Sequence, residues 1–140
     1  YMKTRAGGFG PEARRRIILG TYVLSAGYYD AYYNKATALR EVMKKDFADA
    51  FKDVDVILTP TSPVPAFKIG EKSNDPVQMY LADIFTVSAN MVGVPAISIP
   101  SGFVEKEGKK LPLGIQFMAP WMGENVLFKI GRDFEVAMGK

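Results

Sequence analysis

Residues 81–103 read LADIFTVSANMVGVPAISIPSGF, and the fold follows from how this stretch is parsed. Its first half carries apolar residues at helical spacing, with one charged residue, Asp83, set among them. Gly93-Val94-Pro95 breaks that half off, Ala96-Ile97-Ser98-Ile99 is a short β-type run, and Pro100-Ser101-Gly102 closes it. A helix feeding a buried strand is the unit from which α/β folds are built. A carboxylate in an apolar helical segment costs several kcal/mol unless it is paired or hydrogen-bonded. Asp83 is therefore either an exposed or salt-bridged helical residue, or a residue held ready for something outside the chain.

Upstream of this stretch, the spacing predicts a helix from Pro76 to about Asn90, preceded by a polar loop over 68–76. Val54–Thr59 is β-branched and strand-like, and Pro60-Thr61-Ser62-Pro63-Val64-Pro65 denies it any regular continuation. Tyr28–Lys52 predicts a long helix with Tyr29, Tyr32, Ala36, Leu39, Met43, Phe47 and Ala50 on one stripe, its tyrosines packed in a core. Another helix is expected from Pro11 and Glu12 to about Ala26, with Gly27 available to end it. Residues 1–10 are glycine-rich and read as irregular. Downstream, 104–110 is a charged turn, Leu113–Met118 a strand, and Glu124 to about Met138 an amphipathic helix with Val126, Leu127, Ile130, Phe134 and Ala137 inward. The connection from 96–99 to 113–118 is short enough for a hairpin, so the expected sheet is mixed.

Composition narrows the chemistry. The chain has 140 residues, long enough for one domain with a real core, and 1–140 reads as a single domain. It holds no cysteine and no histidine, which removes disulfides, thiolate metal sites, Cys nucleophiles and Ser-His-Asp arrangements within the chain. Net charge is +3 with both signs interspersed, so the pI near 9.1 does not argue for nucleic acid. No apolar run approaches the roughly 20 residues of a membrane span. Neither a phosphate-binding P-loop nor a dinucleotide fingerprint is present. The first residue is Tyr1, not Met, and structured-looking sequence follows at once, so an excised piece of a longer protein is expected.

Arg14, Arg15 and Arg16 lie in the first turns of the 12–26 helix. Three consecutive helical residues sweep about 200°, so they cannot share one narrow solvent face. Arg16 falls beside Ala13, Gly20 and Val23, whose small side chains leave room for a guanidinium or a ligand. Pairing with surface acids is the simpler account of all three. A fixed cation and a fixed anion facing one pocket would instead suit a zwitterionic amino acid, with Arg16 taking the α-carboxylate and Asp83 the α-ammonium.

Four segments together resemble the amidase signature family: FGPEARRRIILGTYVLSAGYYDAYYNKA (9–36), DVILTPTSPVPAFKIGEK (55–72), DPVQMYLADIFTVSANMVGVPAISIPSGF (75–103) and LPLGIQFMAP (111–120). SAGYYDAYY and MYLADIFT resemble the branch of that family formed by the A subunits of tRNA-dependent amidotransferases. The resemblance implies the C-terminal part of a mixed-sheet α/β/α sandwich, with helices flanking a partial sheet. It also implies a glutaminase subunit, in which a Ser–cis-Ser–Lys triad forms an acyl-enzyme with glutamine and releases ammonia. That triad belongs to a segment upstream of anything present here, so no catalytic residue is expected in this chain, and the 140 residues alone are expected to be inactive.

Further expectations come with the resemblance. The Arg before Ile17-Ile18 and the Asp of MYLAD match the family's glutamine-holding residues, which assigns substrate binding to Arg16 and Asp83. B and C subunits would be the partners. The B subunit would use ATP and Mg to activate Glu-tRNA(Gln), or Asp-tRNA(Asn), in a cytoplasmic ligase with no membrane attachment. This chain itself would bind no cofactor and no metal. Ser88 and Ser101 depart from the family pattern, standing where Pro and Cys are expected. Two alternatives remain: another amidase-signature hydrolase acting on a simple amide, and a non-catalytic α/β interaction module.

Overall fold

The computed structural model describes residues 2–72 and 75–139. Tyr1 and, within the polar loop expected over 68–76, residues 73 and 74 lie outside the described residues. The chain divides into two compact units, Tyr1–Val42 and Met43–Lys140.

The first unit is helical. Residues expected to be irregular form a helix, α1 (Met2–Gly8), whose two glycines fall at its C-terminal end, where glycine is least costly. α2 (Pro11–Val23) begins on a proline whose missing N–H costs nothing there, as the sequence predicts. It stops four residues before Gly27: the Ser25 N–H and hydroxyl both turn back to the Tyr22 carbonyl, at 3.0 and 2.6 Å. Gly27 sits beyond the end, at φ +86°.

The long helix expected over 28–52 opens instead as a π-helical segment, Tyr29–Asn34, and continues as α3 (Lys35–Ala50). The wider turn re-spaces the tyrosines, and the structure corrects their expected burial. Tyr28, Tyr29, Tyr32 and Tyr33 are 38–54% exposed and stack on one another, Tyr28 on Tyr32 at 6.0 Å and Tyr29 on Tyr33 at 5.0 Å. No described residue of this unit is buried.

The second unit is built on three strands, β1 (Ile57–Pro60), β2 (Ala96–Lys106) and β3 (Lys109–Met118). Their order is β1-β3-β2 and both pairings are antiparallel, so β3 is central. The hairpin expected between the last two strands is present. It is longer than the sequence predicts, because pairing runs through the charged residues to Lys106 opposite Lys109. Glu105 opposite Lys110 supplies one favourable cross-strand charge pair there. A bulge at Pro100/Gly102 accommodates the proline, and β2 lies at an edge of the sheet, where a missing ladder donor is tolerated.

Side chains alternate across the sheet, and each face has its own core. On one face Met118 packs with Ala89, Val92 and Val94, backed by Met43, Phe47, Phe51 and Ile57. On the other, Phe117 and Ile99 pack with Ala119 and with Leu127 of α6 (Glu124–Ala137), with Ile130 and Phe134 alongside. Gly131 lets α6 close in: a Cβ there would lie 3.1 Å from Ile99 Cδ1. Helices on both faces of a sheet give the α/β class that the sequence implies. Val126 and Ala137, expected inward, are exposed, because the helix buries the narrower stripe of Leu127, Ile130, Gly131 and Phe134.

The 76–90 segment is not one helix. It forms α4 (Pro76–Leu81), a five-residue turn at 82–86, and α5 (Val87–Val92). α4 starts on an Asp75 cap whose carboxylate accepts from the Val77 and Gln78 N–H groups at 3.0 and 3.1 Å. α5 ends at Gly93 in the left-handed region, φ +81°, with Val94 N–H reaching back to the Ala89 carbonyl.

Candidate functional site

Asp83 lies on the 82–86 turn, not within a helix, and is exposed. Its main chain is fixed on both sides. The Asp83 N–H donates to the Tyr80 carbonyl at 3.1 Å, and its own carbonyl accepts from Thr86 N–H at 3.0 Å and Val87 N–H at 2.9 Å. The Thr86 hydroxyl adds a third donor to the same carbonyl, at 3.1 Å. Among the described residues, no hydrogen bond or ion pair engages the Asp83 carboxylate. A charged group on a held backbone, turned to solvent and without an internal partner, can receive a cation or an ammonium group.

The turn is tied to the sheet from below. Gln116, third from the C-terminal end of β3, is 4% exposed and, among the described residues, is the buried polar residue of the second unit's core. Its Nε2 donates to the Phe85 carbonyl at 2.9 Å and to Thr59 Oγ1 on β1 at 3.0 Å. Phe85 is two residues from Asp83, and its carbonyl also accepts from the Ser88 hydroxyl at 3.3 Å. Beside this, Thr61 Oγ1 and Ser98 Oγ meet at 2.7 Å, directly over Gly114. The strand pattern over 113–118 does not by itself single out Gln116 for function. A signal is nonetheless present: a lone amide in an apolar strand, on the face opposite Phe117.

Arg16 lies on α2 and is 59% exposed at its side chain. Glu12 pairs with Arg15 Nη1 at 2.7 Å and with Arg16 Nε at 2.9 Å. The i,i+4 relation on the helix brings Glu12 and Arg16 together, and surface pairs of this kind contribute little stability. Arg16 belongs to the first compact unit and Asp83 to the second.

Cavities in the second unit include two among the described residues. One of about 400 Å³ is lined by Phe67, Lys68, Ile69, Lys106, Glu107 and Leu111 among others. A second, of about 500 Å³, lies between the Pro60–Phe67 loop and 112–115 and carries the hydroxyls of Thr61, Ser62 and Ser101. Asp83 lines neither. Among the described residues there is no group of three or more Asp, Glu, His or Cys able to hold a metal, and no helix long and apolar enough to cross a membrane.

Comparison with known proteins places this architecture. The A subunit of the glutamyl-tRNA(Gln) amidotransferase of Syntrophus aciditrophicus is 56% identical over 135 residues, covering 96% of this chain and 27% of that protein. The crystal structure of the corresponding A subunit from Thermotoga maritima is 49% identical and superposes with a TM-score of 0.60, over 86% of this chain and 25% of that one. An allophanate hydrolase of Kluyveromyces lactis shares the fold, with a TM-score of 0.68 at 24% identity over 96% of this chain and 22% of its own. The chain thus spans little more than a quarter of the length of the curated relatives it matches. The family model described as amidase matches residues 1–128, so the greater part of both units answers to one pattern, and the chain belongs to the amidase family.

Proposed function

We propose that the chain is the glutamine-orienting portion of a glutaminase subunit in a tRNA-dependent amidotransferase. Arg16 takes the α-carboxylate of glutamine in a two-pronged hydrogen bond, and Asp83 takes the α-ammonium. With both ends of the zwitterion held, the side-chain amide has one direction left to point, toward a Ser–cis-Ser–Lys triad supplied by another part of the subunit. Attack there releases ammonia and leaves a glutamyl ester, which water then hydrolyses. Ammonia passes to a B subunit that activates Glu-tRNA(Gln), or Asp-tRNA(Asn), with ATP and Mg, while a C subunit supports the pair in a cytoplasmic assembly.

One observation carries this reading: an exposed carboxylate, without an internal partner among the described residues, on a turn whose backbone is held by hydrogen bonds. The high identity to proteins named as the A subunits of glutamyl-tRNA(Gln) amidotransferases supports the choice of glutamine over a simple amide.

The test is made in an assembled amidotransferase carrying this sequence. Arg16→Ala and Asp83→Ala are each expected to lower glutamine-dependent kcat/KM by roughly 30- to 1000-fold, about 2–4 kcal/mol for a charge-assisted contact. Amidation supplied with free ammonia should survive in both. Wild-type glutaminase kinetics in the two variants would refute the assignment.

A further inference from the structure

We infer that Gln116 is a positioning residue: through the Phe85 carbonyl it sets the height and direction of the turn that presents Asp83. This rests on the reading of Asp83 as a glutamine contact and extends it to a residue that does not touch substrate.

The geometry allows little alternative. A backbone carbonyl only accepts, so the amide nitrogen of Gln116 must be the atom facing Phe85. Both hydrogens on that nitrogen are then engaged, one by Phe85 O at 2.9 Å and one by Thr59 Oγ1 at 3.0 Å. Thr59 stands directly across from Gln116 in the β1–β3 register, so the strut is anchored on two strands. Its third end is the 82–86 turn. That turn needs an anchor, because it interrupts two six-residue helices, each too short to hold its shape alone.

Burial argues for the same role. A Gln that is 4% exposed in the middle of an apolar core is costly unless its hydrogen bonds are complete. Methionine would fill the volume without that demand and serve the core equally well. What methionine cannot supply is a donor to the Phe85 carbonyl, and so a fixed distance between the sheet and the Asp83 turn. A shift of about 1 Å in a substrate-holding group is enough to cost roughly a hundredfold in rate.

The experiment uses Gln116→Met, Thr59→Val and Asp83→Asn in an assembled amidotransferase carrying this sequence. Glutamine-dependent and ammonia-dependent kinetics are measured, together with amide hydrogen exchange across 82–87. Gln116→Met is expected to lower kcat/KM for glutamine roughly ten- to a hundredfold, mainly through KM, and to speed exchange in the turn, with ammonia-supplied amidation spared. Thr59→Val, which removes the strut's far anchor and is nearly isosteric, should move both readouts the same way by less. It carries the test if Gln116→Met does not assemble.

Wild-type KM and exchange in both variants, beside a raised KM in Asp83→Asn, would overturn the positioning role alone. An unaltered KM in Asp83→Asn would remove the clamp reading and this inference with it. Equal loss of glutamine- and ammonia-supplied activity would mark Gln116 as merely structural and also overturn the inference.

Discussion

At the scale of single residues, the two arms of the proposed clamp differ in what surrounds them. Asp83 has its backbone fixed and its carboxylate open, whereas Arg16 already shares Glu12 with Arg15. Charge alone should not be enough at position 16. Arg16→Lys keeps the charge and loses the planar fork, so kcat/KM for glutamine should still fall by about tenfold or more in steady-state kinetics. The tyrosines teach the opposite lesson about legibility. Their spacing suggests a core, yet they form exposed stacks, because a π-helical turn changes which residues share a face.

Another tyrosine, Tyr22 of α2, should be visible in titration. Tyr22 packs on Tyr28 with ring centroids 4.3 Å apart. Its hydroxyl is pushed above the ordinary 10.0, first by the hydrogen bond with Tyr28, then by desolvation, then by the nearby Tyr32. A raised value means that the fold favours the protonated phenol. The contribution is fully present below pH 10.0 and is lost as the pH rises through the raised value. Phenolate absorbance should therefore show a late-titrating group that Tyr22→Phe removes.

At the scale of elements, chain breaks written in backbone chemistry were legible, and those written in side-chain competition were not. Gly93 before Val94-Pro95 announces a left-handed helix end, and the helix does end there. The break at 82–86 was hidden because Leu81, Phe85 and Ala89 continue the helical period across it. Thr86, Ser88 and Asn90 turn their side chains onto the carbonyls of Asp83, Phe85 and Thr86, and such local bonds compete with a regular helix. Asp83 stands out in the sequence, but the turn that presents it does not. Gln116 escapes for a similar reason: its partners are remote in sequence, Phe85 by 31 residues and Thr59 by 57.

Two substitutions test the elements themselves. Asp75→Ala removes the cap of α4, and should cost about 1 kcal/mol in thermal or denaturant unfolding. Gly131→Leu forces a side chain into the space where even a Cβ would meet Ile99 Cδ1 at 3.1 Å. Helix propensity favours the change, but crowding between α6 and β2 should prevail, for a net loss of roughly 1–3 kcal/mol in the same measurement.

At the scale of the whole molecule, burial is unevenly distributed. The second unit has a two-faced core, while the first has no buried residue among those described, and Ile17, Ile18, Leu19 and Tyr22 stand 47–70% exposed. β1 and β2 each present an outer edge unpaired by any other described strand. Apolar faces and open edges of this kind recruit other chains. The isolated 140-residue chain is expected to self-associate, seen as a concentration-dependent mass in sedimentation; a sharp monomer at high concentration would contradict this. The α/β class was legible because helical and strand periods alternate in the sequence. The division at Val42/Met43 was not, because it falls inside α3, where the sequence period does not change.

The β2–β3 hairpin turns at Glu107 and Gly108, both at positive φ, +53° and +72°. That is the type I′ geometry whose twist matches antiparallel strands. Its consequence is one of timing. Hairpins of this kind close on the order of 1–10 μs, using only neighbours in sequence. β1 must instead find β3 from the far side of the loops and short helices between them, at a cost in loop-closure entropy. The central strand is thus templated first on its later neighbour, and the Thr59 anchor of the Gln116 strut arrives last. Gly108→Val should accordingly slow folding, whereas changes at Thr59 should mainly hasten unfolding.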